Sequence, residues 1–188
     1  MKDIKPAILI FAIFTIICGG IYPAVVTGVA YALFPKQAAG SFIIDKWGKE
    51  VGSTLIGQPF ADPKYFWPRP SAAADFGYNS MASGGSNSGP TNPDYLKTVG
   101  DRVKALRDTG VTGKVPADLV QASASGLDPH VTPESALLQV PRVAKARGVS
   151  EEVLIKTVTQ ATDGRQLGFL GEPRVNVLEL NVKLDALK

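Results

Sequence analysis

The 188 residues include 45% hydrophobic and 20% charged side chains and carry a formal net charge of +3, which fits one globular domain of ordinary size beside any membrane segment. Lys and Arg are interleaved with Asp and Glu, so the basic stripe of a nucleic-acid binder is missing and that class of partner is excluded. A single cysteine, Cys18, and a single histidine, His130, exclude an intrachain disulfide and a zinc site of paired ligands.

Ala7 to Phe34 reads AILIFAIFTIICGGIYPAVVTGVAYALF without a charge. At a rise of about 1.5 Å per residue these residues reach well beyond the ~30 Å hydrocarbon core, so a tilted transmembrane helix over 7–34 is expected. A cleaved signal peptide is the competing reading, with Lys2 and Lys5 ahead of the run and Ala38, Ala39 and Gly40 after it. The run is about twice as long as a signal h-region, which favours an uncleaved anchor. Lys2 and Lys5 outweigh Asp3, so residues 1–6 are expected in the cytoplasm and 36–188 outside it. Pro23 removes a backbone donor, and a carbonyl freed in lipid calls for neighbouring protein. Tyr22, Pro23, Gly19, Gly20 and Gly28 therefore suggest a partner helix, although such glycines are also ordinary in membrane helices.

Beyond the anchor, Phe42–Ile44 and Ser53–Ile56 have strand composition, with Gly57 and Pro59 as breakers. The stretch 77–93, GYNSMASGGSNSGPTNP, cannot build a core and reads either as a flexible linker or as an ordered binding loop. Leu96, Val99, Val103 and Leu106 then mark one face of a helix over 94–107 that stops near Gly110. Residues 116–127 suggest a loop with a short turn. Thr132 caps a helix starting at Pro133, which carries Glu134 early and Lys145 and Arg147 late, and which Pro141 should kink. Ser150, followed by Glu151 and Glu152, opens a second helix to about Thr162 that packs on the first. The tail 174–187 fits both a strand, by alternation of Leu178, Leu180, Val182 and Leu184, and a helix capped by Asn176; helix is the preferred reading. The expected fold class is α+β: one N-terminal transmembrane helix, then one mixed extracytoplasmic domain.

Catalytic candidates are few. Asp128-Pro129-His130 could orient an imidazole, yet no G-x-S-x-G elbow accompanies it, and the plain alternative is a hydrogen-bonded turn before the Thr132 cap. Residues 83–90, SGGSNSGP, lack the lysine of a phosphate loop, leaving an anion nest or a turn cluster. Arg69, held between Pro68 and Pro70, either pins a loop or meets a partner, and Arg165 and Arg174 pose the same choice.

Taken together the motifs resemble the C subunit of the potassium-transporting P-type ATPase, the KdpC family. The likeness runs through Leu55-Ile56-Gly57-Gln58, Tyr65-Phe66, Arg69-Pro70-Ser71, Ser83-Gly84-Gly85-Ser86-Asn87 and Gly89-Pro90-Thr91-Asn92. It continues in Ser125-Gly126-Leu127-Asp128-Pro129-His130, Ala146-Arg147-Gly148 and Leu170-Gly171-Glu172-Pro173-Arg174-Val175-Asn176. Ser88, Gln121, Ala124 and Asp163 depart from the usual pattern.

The resemblance implies a subunit without catalysis of its own in a high-affinity, ATP-driven potassium uptake pump of the bacterial inner membrane. Its implied partners are a channel-like potassium-translocating subunit, an ATP-hydrolysing subunit, a small single-helix subunit and membrane lipid. The implied role is a catalytic chaperone that assembles the complex and raises the ATP affinity of the hydrolysing subunit. No cofactor is expected to be held tightly; ATP would come through the partner, with Gln58 the family's suspected nucleotide contact. Tyr22, Pro23, Arg69, Ser83, Asn87, His130 and Arg174 are the candidate partner contacts. A membrane-tethered hydrolase using His130, or an extracytoplasmic binding module using the 77–93 loop, are the alternatives.

Overall fold

The computed structural model describes residues 3–187; Lys2, one of the charges behind the expected orientation, lies outside them. The chain divides into two units, one ending at Phe42 and the other beginning at Ile43. The structure bears out the α+β class, with one N-terminal helix long and apolar enough to cross a membrane, over Ile4–Leu33.

In the first unit, α1 (Ile4–Ile16) and α2 (Tyr22–Leu33) are joined by a π turn, Ile17–Ile21, and none of their residues is buried. The helix thus starts three residues ahead of the charge-free run, since Lys5 can be accommodated in a first turn at a membrane surface. The π turn answers Pro23. A proline ring meets the carbonyl four residues back, here that of Gly19, and the wider turn, with the Tyr22 N–H reaching the Ile17 carbonyl, relieves that contact. Part of the adjustment expected of a partner helix is therefore made within the helix. A short helix not anticipated from the sequence, α3 (Pro35–Ala38), follows, with Pro35 in the favoured first position.

A hairpin of β1 (Phe42–Ile44) and β2 (Glu50–Ser53) begins at the last residue of the first unit and belongs from Ile43 on to the second. The expected strand over Ser53–Ile56 is corrected: only Ser53 lies in β2. Its hydroxyl accepts the Leu55 N–H at 3.2 Å and its carbonyl the Ile56 N–H at 3.3 Å, closing a turn where a ladder would have continued. Next come α4 (Pro93–Asp108), capped by Asn92, and a 3-10 turn at Ala117–Leu119. In α4, Leu106 is buried and Val99 and Val103 pack on the core, but Leu96 is 53% exposed. The apolar face was thus read one turn too long, because the first turn of α4 extends past the core.

Then β3 (His130–Val131) leads to α5 (Pro133–Arg147) and α6 (Glu151–Gln160), with side-chain caps from Thr132 and Ser150 as expected. α5 continues through Pro141, and Leu137, whose carbonyl loses its partner there, is 41% exposed, so water reaches that turn. The chain closes with β4 (Thr162–Asp163), β5 (Arg174–Asn176) and α7 (Val177–Ala186). The ambiguous tail is both things in succession. Arg174–Asn176 is the central strand of a β3-β5-β4 antiparallel sheet, pairing Val175 with Val131 and Thr162, and Asn176 then caps α7.

The core joins α5, α6, α7 and this sheet through Val140, Val143, Leu154, Val158, Val175, Leu180 and Leu184. Phe66, on a segment with no regular structure, is fully buried in it. Its backbone N–H and carbonyl both meet the side-chain amide of Asn181, at 2.9 Å each. The neighbouring Trp67 N–H and carbonyl meet the amide of Gln139 at 2.7 and 3.1 Å. Arg142, one turn further along α5, donates to the Pro63 and Tyr65 carbonyls at 2.6 and 3.0 Å. Side chains thus take the place of a strand partner for residues 63–67, which satisfies backbone groups that no ladder reaches.

Candidate functional site

The segment pinned by Asn181 and Gln139 runs on to Arg69, and from there the site can be built. The Tyr78 hydroxyl donates to the Arg69 carbonyl, and the Ser71 hydroxyl donates to the Gly126 carbonyl at 2.7 Å while accepting the Tyr78 N–H at 2.9 Å. So tethered, Arg69 donates from Nη1 to Asp128 Oδ2 at 2.9 Å. Asp128 Oδ1 accepts the His130 N–H at 3.0 Å and faces His130 Nδ1 at 3.2 Å. Arg69, Asp128 and His130 line a cleft of about 240 Å³ together with Asp118, Glu172 and Arg174.

Three of the sequence candidates, Arg69, His130 and Arg174, therefore meet in one place. The others do not join them. Gln58 donates its amide to the Val51 carbonyl at 2.7 Å, bracing β2. Ser83 donates to the Ser125 carbonyl at 3.0 Å, and Asn87 is an exposed residue with a φ of 51°. Tyr22 and Pro23 belong to the helical first unit. The 77–93 stretch includes an ordered piece: Gly84 N–H meets the Ser125 carbonyl at 2.9 Å, and Gly85 lies against Ala124.

Two arginines and three carboxylates line the cleft, and Asp128 is the carboxylate paired inside it, with Arg69. Burial pushes the Asp128 carboxyl up, but hydrogen bonds from the His130 ring and backbone and from Arg69, with the Arg69 charge, outweigh it and hold the group at about 2. Burial, with the Asp128 charge behind it, pushes the Tyr78 phenol up against the opposing pull of Arg69. Outside the trio, Arg165 pairs with Glu172 at 2.6 Å, and Arg174 lies 3.9 Å from Asp163. The hydroxyl lining the cleft, Thr132, accepts the Ser135 N–H and donates to the Ser135 hydroxyl at 3.0 Å, and Ser135 donates onward to Asp118 at 2.5 Å. Those hydroxyls are committed to the start of α5. Among the described residues no three His, Cys, Asp or Glu side chains are grouped to hold a metal. What the arrangement can do is brace: Arg69, Asp128 and His130 tie the 66–71 segment to the turn before β3.

A stability prediction arises here. The folded carboxyl of Asp128 lies below its ordinary value of 3.8, so its contribution is complete above about pH 5 and is lost as pH falls towards 2. A shift of this size amounts to about 2 kcal/mol. Denaturation of the full chain at stepped pH should show this acid loss, and Asp128→Asn should flatten the profile in that window while lowering stability at neutral pH. An unchanged profile in the variant would remove Asp128 from the account.

Sequence reasoning missed Gln139, Arg142 and Asn181, which fix the approach to the cleft. Their signal was present as polar residues spaced along otherwise buried helix faces: Ser135, Gln139 and Arg142 in α5, and Asn181 between Leu180 and Leu184 in α7.

The family model described as "K+-transporting ATPase, c chain" matches residues 4–186. A Geotalea uraniireducens protein named potassium-transporting ATPase KdpC subunit is 74% identical over 187 residues, covering 100% of this chain and 99% of the relative. A protein of the same name from Geobacter sulfurreducens is 69% identical with the same coverage, and one from Methylococcus capsulatus is 56% identical over the full length of both.

Proposed function

We propose, from the premise that this chain belongs to the KdpC family of K+-transporting ATPase subunits, that it acts as a membrane-anchored assembly subunit whose effect on ATP use is indirect. The observation that carries this reading is the unburied apolar helix over Ile4–Leu33, attached to a domain whose charged cleft is internally braced. An apolar helix of that length favours lipid and the flanks of other helices over water.

On this reading residues 1–6 lie in the cytoplasm, the helix spans the bacterial inner membrane, and residues 36–188 form an extracytoplasmic domain. The helix packs beside the channel-like potassium-translocating subunit, with Tyr22 and Pro23 at the contact, in a complex that also includes the ATP-hydrolysing and small single-helix subunits. The outer domain covers the extracellular mouth of the channel-like subunit. ATP is then bound and hydrolysed across the membrane from this domain, and Gln58 holds β2 in place without touching nucleotide. A gain in ATP affinity would reach the hydrolysing subunit as coupling through the assembly, typically about 1–3 kcal/mol or roughly 5–150-fold.

The test is purification of the detergent-solubilised complex with and without this chain. Co-purification with a potassium-stimulated ATPase, and a higher apparent KM for ATP when the chain is omitted, are expected. A chain that purifies alone, with pump activity unchanged by its deletion, would overturn the proposal. Protection of residues 36–188 from protease in right-side-out spheroplasts would overturn the orientation.

A further inference from the structure

We infer that the β1–β2 hairpin is a second membrane contact, lying in the headgroup layer of the bilayer that the N-terminal helix crosses; this rests on the spanning helix proposed above. Phe42 and Ile44, two residues apart in β1, share one face of the strand and are 45% and 60% exposed. Trp47, at the turn, is 77% exposed, an unusual position for the largest side chain in a water-facing loop.

The turn is firmly built. The Asp45 carboxylate accepts the Trp47 and Lys49 N–H groups at 2.8 and 2.9 Å, and the Asp45 N–H meets the Lys49 carbonyl at 2.9 Å. Trp47 is thus presented on a fixed support, with the Lys46 ammonium 4.5 Å from its ring centroid.

The occupant follows from chemistry and chain length. An indole with an apolar body and one N–H, beside lysines and next to aliphatic side chains, has the composition that settles at a membrane–water interface. Asp45 and Glu50 offset the charges of Lys46 and Lys49 within the hairpin, and the Lys46 ammonium also donates to the Asp185 carbonyl at 3.4 Å, so the contact rests on Trp47, Phe42 and Ile44 rather than on net charge. Eight residues lie between the end of α2 at Leu33 and Phe42, and even fully extended they leave the two at most about 30 Å apart. The length of that tether keeps the hairpin within reach of the surface from which the helix emerges. Its own ladder pairs its inner backbone groups, so contact with lipid headgroups leaves few of them stranded.

The chain has two tryptophans, and the other, Trp67, donates its indole N–H to the Asp62 carbonyl and stacks on Arg142 in the folded domain. Trp47→Phe, a change at an exposed position, therefore supplies the background to subtract. The full chain and this variant would be reconstituted in phosphatidylethanolamine/phosphatidylglycerol vesicles, with and without lipids brominated near the headgroup. Loss of most of the Trp47-dependent emission with shallow bromines is the expected result. Retention of the chain through carbonate extraction with Trp47 emission unquenched and red-shifted would overturn the hairpin contact while leaving the spanning helix in place. Unquenched but blue-shifted emission would mean a protein surface covers Trp47, which also overturns the lipid contact. Release of the chain by carbonate would remove the spanning helix and the inference with it.

Discussion

Asn181→Leu should lower the stability of the folded domain by about 3–5 kcal/mol, because it strands two backbone groups, each costing roughly 1–3 kcal/mol when buried without a partner. Phe66 is 0% exposed and Asn181 1%, so water cannot replace the lost amide without opening the core. The leucine is apolar and close in volume, which leaves the hydrogen bonds as the main quantity changed. Denaturant unfolding of the full chain in detergent micelles, followed by the emission of adjacent Trp67, would measure the loss. Gln139→Leu should cost somewhat less at Trp67, which is only half-buried, but it also strips a 2.6 Å partner from Arg142. The two substitutions act on consecutive residues of one segment, so their effects should not add. A loss below about 1 kcal/mol for Asn181→Leu would show that the 63–67 segment finds other partners and that the surrogate-strand account is wrong.

Gly126→Val is the second large effect, expected at about 3–5 kcal/mol from strain and collision together. Gly126 has a φ of +68°, a region costly for any β-branched residue. A Cβ there would lie 2.7 Å from the Gly84 carbonyl oxygen and 2.9 Å from the Ala73 nitrogen, both backbone atoms that no rotamer change can move aside. The 83–85 stretch would have to leave the 123–126 segment, breaking the Gly84–Ser125 and Ser83–Ser125 contacts. Limited proteolysis should therefore show new cleavage between residues 83 and 89 together with the fall in stability, and Gly126→Ala should give a smaller version of both. Unchanged proteolysis would mean that the loop is not held by this contact.

The elements that sequence placed best were those with a local cause. Asn92, Thr132, Ser150 and Asn176 each accept an N–H from the first turn of the helix they precede, and such caps need nothing beyond a few neighbouring residues. The apolar N-terminal helix was equally plain, since its length and freedom from charge are read directly. The strands were harder. β3 and β4 are two residues long and exist only because β5 lies between them, so no periodicity could have marked them. Of the cleft, Asp128 and His130 are two residues apart and were legible as a pair. That Arg69 closes on them from 59 residues away was not, because long-range ion pairing leaves no spacing in the chain.

By itself, then, the sequence determined the helix caps, the membrane-compatible span, the absence of a basic stripe and, through its motifs, the family. These rest on local hydrogen bonding, on cumulative hydrophobicity and on residue identity, all carried along the chain. Only the tertiary structure decided that Gln139 and Asn181 serve as strand partners for Phe66 and Trp67, that the tail is strand and then helix, and that Arg69 reaches Asp128. Each depends on which buried backbone or charged group lacks a partner after packing, a condition that arises only once distant segments have come together.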